Sequence, residues 1–113
     1  MPRNFKVYFE DILTAIQKIE MYTQGMSFEV FIEDSRTFDA VTRNFEIIGE
    51  AVKNIPSDMK DAHPEIPWAA MYRLRNRATH EYFGLDYEII WDVIVNYLPS
   101  NYRDIKNIIE SNK

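Results

Sequence analysis

The sequence predicts an all-α protein, an antiparallel bundle of four or five helices. Two observations carry that expectation. Apolar residues recur at steps of three and four along most of the 113 residues, the period of helices that bury one face. Glycine occurs three times and proline five times, which suits long helices better than short strands joined by tight turns. With 46% hydrophobic residues, the chain fits one compact domain over 1–113, since a chain of this size buries roughly two-thirds of the surface its unfolded form exposes.

The elements follow in order. Phe5, Phe9, Ile12, Ile16 and Ile19 trace the apolar stripe of a first helix that ends near Gly25. Ser27 is placed to cap a short turn that continues past Asp34 and Ser35 into a long helix, whose stripe is Phe38, Val41, Phe45, Ile48, Val52 and Ile55. Gly49 interrupts that helix at a cost of about 1 kcal/mol relative to Ala, usually offset by the close approach of another helix. Pro56, Pro64 and Pro67 bracket a connection with one helical turn. A third helix begins at Pro67 and Trp68 and runs toward Gly84, Asp86 caps a fourth, and Pro99 breaks the pattern before a last helix with Tyr102, Ile105, Ile108 and Ile109 on its apolar side.

Composition excludes several chemistries. There is no cysteine, so disulfides, thiolate metal sites and thiol nucleophiles are ruled out. Only His63 and His80 offer imidazole. No multi-histidine metal site is expected within one chain, and no cofactor. The first twenty residues lack the apolar core of a signal peptide, and no apolar run approaches the roughly twenty residues of a membrane span. A cytoplasmic protein is therefore expected.

The net charge of -5 opposes broad adhesion to nucleic acid, because phosphate binding draws on clustered Lys and Arg. Between Glu65 and Glu81, however, there is no acidic residue, while Arg73, Arg75, Arg77 and His80 all fall in that window. On a helical wheel Trp68, Met71, Arg75, Ala78 and Tyr82 form one stripe, which puts an arginine in an apolar face. Either Arg75 pairs with a carboxylate such as Glu46 or Glu50, or the helix is distorted so that it meets water, or it awaits an anion.

His80 lies five residues beyond Arg75, roughly 140° around an ideal helix, so the two share no face of a straight one. Arg73, Asn76, Arg77 and His80 group on a polar side instead. A site using both Arg75 and His80 requires a bent helix or residues from two chains. A lone histidine is commonly structural, but three neighbouring arginines would lower its pKa and favour a neutral base. Tyr82 returns to the face of Arg75, where a core aromatic is an adequate reading. His63, between Ala62 and Pro64, reads as a loop residue.

Arg75, four residues, His80, one residue and Tyr82 match the signature of HepT-like proteins in the HEPN superfamily, which the chain resembles over roughly residues 5 to 110. Asp34-Ser-Arg-Thr, Arg43-Asn-Phe-Glu-Ile-Ile-Gly-Glu-Ala51, Ile66-Pro-Trp68 and His80-Glu-Tyr-Phe-Gly-Leu-Asp86 are similar as well. One departure is Ala78 and Thr79, where bulkier aliphatic residues are common. The resemblance implies a metal-independent endoribonuclease, the toxin of a type VII toxin–antitoxin pair, acting as a homodimer with the signature residues of both chains in one cleft.

By the same resemblance Arg75 and His80 are the catalytic residues, with Arg73, Asn76 and Arg77 orienting RNA. The implied partner is an MntA-like nucleotidyltransferase antitoxin, and Tyr82 is the residue it would modify with AMP. Metal-free RNA cleavage needs a base for the 2′-hydroxyl, an acid for the leaving 5′-oxygen and positive charge for the phosphorane, which Arg75 and His80 could supply. The alternative is a non-catalytic helical subunit that binds a nucleotide. A purely structural helical dimer is a third reading.

Overall fold

The computed structural model describes the backbone of residues 4–79 and 85–111 and the side chains of residues 5–76 and 87–111. Every regular element among them is helical. The first, α1 (Asn4–Thr23), buries the expected stripe of Phe5, Phe9, Ile12, Ile16 and Ile19. It packs chiefly against α3 (Ser35–Asn54) and also against α8 (Leu98–Ser111). The Thr23 hydroxyl donates to the Ile19 carbonyl at 2.8 Å, and Gly25, at φ +77°, turns the chain out of the helix, a conformation that costs glycine little.

A short α2 (Phe28–Glu33) follows, capped by Ser27, whose hydroxyl accepts the Val30 N–H at 3.2 Å. The expected passage from this turn into the long helix is interrupted at Asp34. Its N–H closes α2 on the Phe31 carbonyl, and its carboxylate caps α3 by accepting the Thr37 N–H at 3.1 Å and the Thr37 hydroxyl at 2.9 Å. These bonds hold the Asp34 carboxyl below its ordinary pKa. Two helices meeting at one residue let Phe31 turn inward, where its ring lies 5.0 Å from Trp91 and 5.9 Å from Phe38.

Val41, Phe45, Ile48 and Val52 of α3 form the centre of the core. After Pro56 comes the expected single turn, α4 (Ser57–Ala62), which buries none of its residues. The indole N–H of Trp68 donates to the carbonyls of Lys60 and His63, at 3.1 and 3.0 Å, and so ties this connection to α5 (Trp68–Tyr72). His63 is indeed a loop residue, 3.5 Å from Glu65.

The third helix differs from expectation. It breaks at Arg73 into α5 and α6 (Leu74–Thr79), with the Asn76 N–H bonded to the Arg73 carbonyl at 3.0 Å. This three-residue step lets Leu74 join Met71 in the core and leaves Arg75 at its edge, so the uninterrupted stripe through Trp68, Met71 and Arg75 is not what the helix buries. An aliphatic residue loses little on desolvation, whereas a guanidinium loses a great deal.

Beyond the undescribed residues, α7 (Leu85–Asp92) already contains Asp86, so that residue lies inside the first turn rather than ahead of it. Nor does Pro99 break the chain. A π-helical turn, Val93–Tyr97, joins α7 to α8, and the Leu98 N–H donates to the Val93 carbonyl five residues back. Pro99 lies just past the π turn inside this continuous helical run, which passes through it despite the N–H it lacks. Tyr102, Ile105, Ile108 and Ile109 then face inward as expected.

Candidate active site

The site is built where α6 crosses α3. A Cβ added to Gly49 would lie 2.6 Å from the Cβ of Arg75 and 2.9 Å from the Tyr72 carbonyl oxygen. The absence of a side chain at Gly49 therefore lets the stem of Arg75 lie directly on the backbone of α3. Glycine in mid-helix is unfavourable by itself; here the close approach foreseen for it is that of the candidate arginine.

The guanidinium is then oriented by two partners. Its Nε lies 3.2 Å from Oε1 of Glu50, and one Nη donates to the Tyr72 hydroxyl at 3.2 Å, with the charged carbon 5.6 Å from the centre of that ring. The side chains of Arg75 and Glu50 remain 32% and 49% exposed. An ion pair so open to water contributes only about 0–1 kcal/mol, so it orients the arginine without locking it away from another anion. A guanidinium carries five N–H donors; the Tyr72 hydroxyl accepts from one of them, while Glu50 contributes an ion pair.

Arg75 lines an open groove of about 360 Å³ together with Tyr8, Arg43, Glu46 and Glu50. Arg43 is paired with Glu46 at 3.3 Å. Asp11 adds a third carboxylate to the lining, so the groove does not attract phosphate by net charge. Its capacity for anions rests on the direction of the Arg75 donors and on the acid-free segment that carries them.

Among the other residues singled out in the sequence, Arg73 is exposed at the junction of α5 and α6 and lines a different cavity, on the side of α7 and α8. Asn76 is exposed on α6. Arg77 belongs to α6, but its side chain lies outside the described residues, as do His80 and Tyr82 altogether. The structure thus brings Arg75 together with Glu50, Tyr72 and Gly49. Of these, Tyr72 as a partner of the arginine escaped the sequence reading; its signal was the spacing of three residues that puts side chains on one helical face. The block from Arg43 to Ala51 acquires a physical meaning: it is the surface on which Arg75 rests.

Fold and site together define a helical protein that lays an arginine-rich, acid-free segment across its central helix. The family model described as ribonuclease HepT-like matches residues 12–110, and the chain belongs to this family, within the HEPN superfamily. It is 49% identical over 100 residues to the "Probable ribonuclease HepT" of Thermococcus cleftensis, covering 88% of this chain and 91% of the relative. It is 42% identical over 111 residues to a "Putative RNase" of Methanocaldococcus jannaschii, covering 97% and 92%. A "Putative RNase" of Caldanaerobacter subterraneus is 38% identical over 106 residues, covering 94% and 95%. No solved structure matches the chain. Among the described residues, no helix is long and apolar enough to cross a membrane.

Proposed function

We propose that the protein is a metal-independent endoribonuclease that cleaves RNA by attack of a 2′-hydroxyl on the adjacent phosphorus. The observation that carries this reading is Arg75, set on Gly49 and aimed by Glu50 and Tyr72 with its guanidinium still partly in water, in a chain of a ribonuclease family.

In this reaction the 2′-oxygen forms a bond to phosphorus while the bond to the 5′-oxygen breaks, leaving a 2′,3′-cyclic phosphate and a 5′-hydroxyl. His80 takes the proton from the 2′-hydroxyl or gives one to the 5′-oxygen, and two chains would supply one imidazole for each task. Arg75 binds the scissile phosphate and offsets the charge that grows on its oxygens, a role that suits a fork of preset N–H donors. Arg73, Asn76 and Arg77 guide the strand.

In this reading the active form is a homodimer of a single helical domain, the toxin of a type VII HepT/MntA-like pair. AMP transferred to Tyr82 by the cognate nucleotidyltransferase would add phosphate charge and adenosine bulk to the signature segment, compete for the arginine and silence it. The test is cleavage of RNA by purified protein in excess EDTA. Cyclic phosphate ends, lost in Arg75→Ala and in His80→Ala, are expected; undiminished cleavage by either folded variant would remove that residue from the mechanism.

A further inference from the structure

A second cavity, of about 310 Å³, opens between the α5 and α6 junction and the helix running from α7 through the π turn into α8. Pro67, Met71, Leu74 and Val93 supply apolar walls, while Arg73, Asp92 and Tyr97 add a charge of each sign and an aromatic ring. Both ends of the π turn line it. Such wide turns are frequent where a helix is shaped for function.

The decisive residue is Asn101. It lines this cavity and is only 5% exposed, yet its amide makes no hydrogen bond with the described residues. Its polar atoms are not sealed in the core either: the one buried side-chain polar atom without a partner among the described residues is Oδ1 of Asn44. The amide of Asn101 therefore opens onto the cavity. An amide that opens onto the cavity with no protein partner is free to hydrogen-bond a ligand there, beside the apolar walls of Met71, Leu74 and Val93.

We propose that this cavity receives an adenine base of the RNA strand, a reading that rests on the nuclease assignment above for the strand but not for the base. A carboxamide presents one acceptor beside one donor, the complement of the adenine N6 amine and N7. The apolar walls accept the ring, the Tyr97 side chain, 52% exposed, offers a stacking face, and Arg73 supplies a cation for the attached phosphate. Arg73 and Arg75, two residues apart, line the two cavities on either side of the first turn of α6. One strand passing over that turn can thus set a phosphate at Arg75 and a neighbouring base at Asn101.

The test uses short 2′-O-methyl RNAs, which lack the attacking hydroxyl and so report binding alone. Oligonucleotides differing at a single base are compared by fluorescence anisotropy. Adenine at one position is expected to bind about tenfold or more tightly than uracil, with the preference abolished by Asn101→Leu, which keeps the size of the side chain but not its amide. Tyr97→Ala, on the cavity rim, should weaken binding without unfolding risk to the core. Arg75→Ala should weaken all sequences alike and leave the preference intact, which separates the base pocket from the phosphate site. Equal affinity for all bases, or an unchanged preference in folded Asn101→Leu, would overturn the proposal. So would dissociation of a native dimer by Asn101→Leu or Tyr97→Ala, because the cavity would then be an interface between copies. AMP that binds there but is not displaced by the oligonucleotide would overturn the assignment to a strand.

Discussion

At the scale of single residues, the proposed chemistry turns on how one arginine is held. Arg75 keeps its stem on Gly49 and its donors toward Glu50 and Tyr72. Arg75→Lys preserves the charge but not the planar fork, and cleavage is expected to fall more than tenfold in a turnover assay while the fold survives. Glu50→Gln should change stability by less than about 1 kcal/mol, since the pair is exposed. A loss of cleavage larger than the loss of stability would mark Glu50 as a positioning residue. Gly49→Ala meets the Arg75 Cβ and the Tyr72 carbonyl. Backbone cannot yield as a flexible side chain does, so a stability loss of roughly 1–3 kcal/mol is expected, together with displacement of Arg75 and lost cleavage. A melting curve and a cleavage assay on the same preparation check both.

At the scale of elements, the departures from regular helix decide what the site contains. The break at Arg73 turns Leu74 inward and Arg75 to the edge. The π turn at Val93–Tyr97 carries the chain into α8 and lines the second cavity at both its ends. The junction of α2 and α3 depends on Asp34, whose carboxyl pKa is lowered first by the Thr37 backbone N–H and then by its hydroxyl. Because the folded pKa is depressed, the stabilisation from this carboxylate is present above the unfolded pKa of roughly 4 and disappears as pH falls through the lower folded value. Asp34→Ala is therefore expected to lower the melting temperature at pH 7. Its deficit against the native protein should shrink below about pH 4, which thermal melts at several pH values would show.

At the scale of the whole molecule, a twofold dimer makes a specific demand on the nuclease reading. If Arg75 of one chain works with His80 of the other, a heterodimer of Arg75→Ala and His80→Ala chains retains one native pair and one pair lacking both. Mixing and reannealing the two inactive variants in equal amounts should then restore about a quarter of native cleavage, half the dimers each having one of two sites. No recovery in verified heterodimers would mean either that both residues of a site lie in the same chain or that one cleft requires the imidazoles of both chains.

Much of the fold was legible because helical burial writes itself into spacing. The stripes of α1, α3 and α8, the cap at Ser27, the turn at Gly25 and the need for a close neighbour at Gly49 all follow from local chemistry and periodicity. The resemblance of the signature and its flanking blocks correctly indicated the family. Spacing could not reveal the breaks at Asp34 and Arg73, or that Pro99 would pass within a continuous run. Each is a local loss accepted for burial elsewhere, and the compensating contacts lie far along the chain: Phe31 against Trp91, and Gly49 against Arg75. For the same reason, the sequence by itself determined which residues could carry charge to a phosphate, while only the tertiary structure decided that Arg75 would be aimed by Glu50 and Tyr72 and that the Asn101 amide would open onto a cavity. Residue type is local, but the direction of a side chain is set by whatever the fold packs against it.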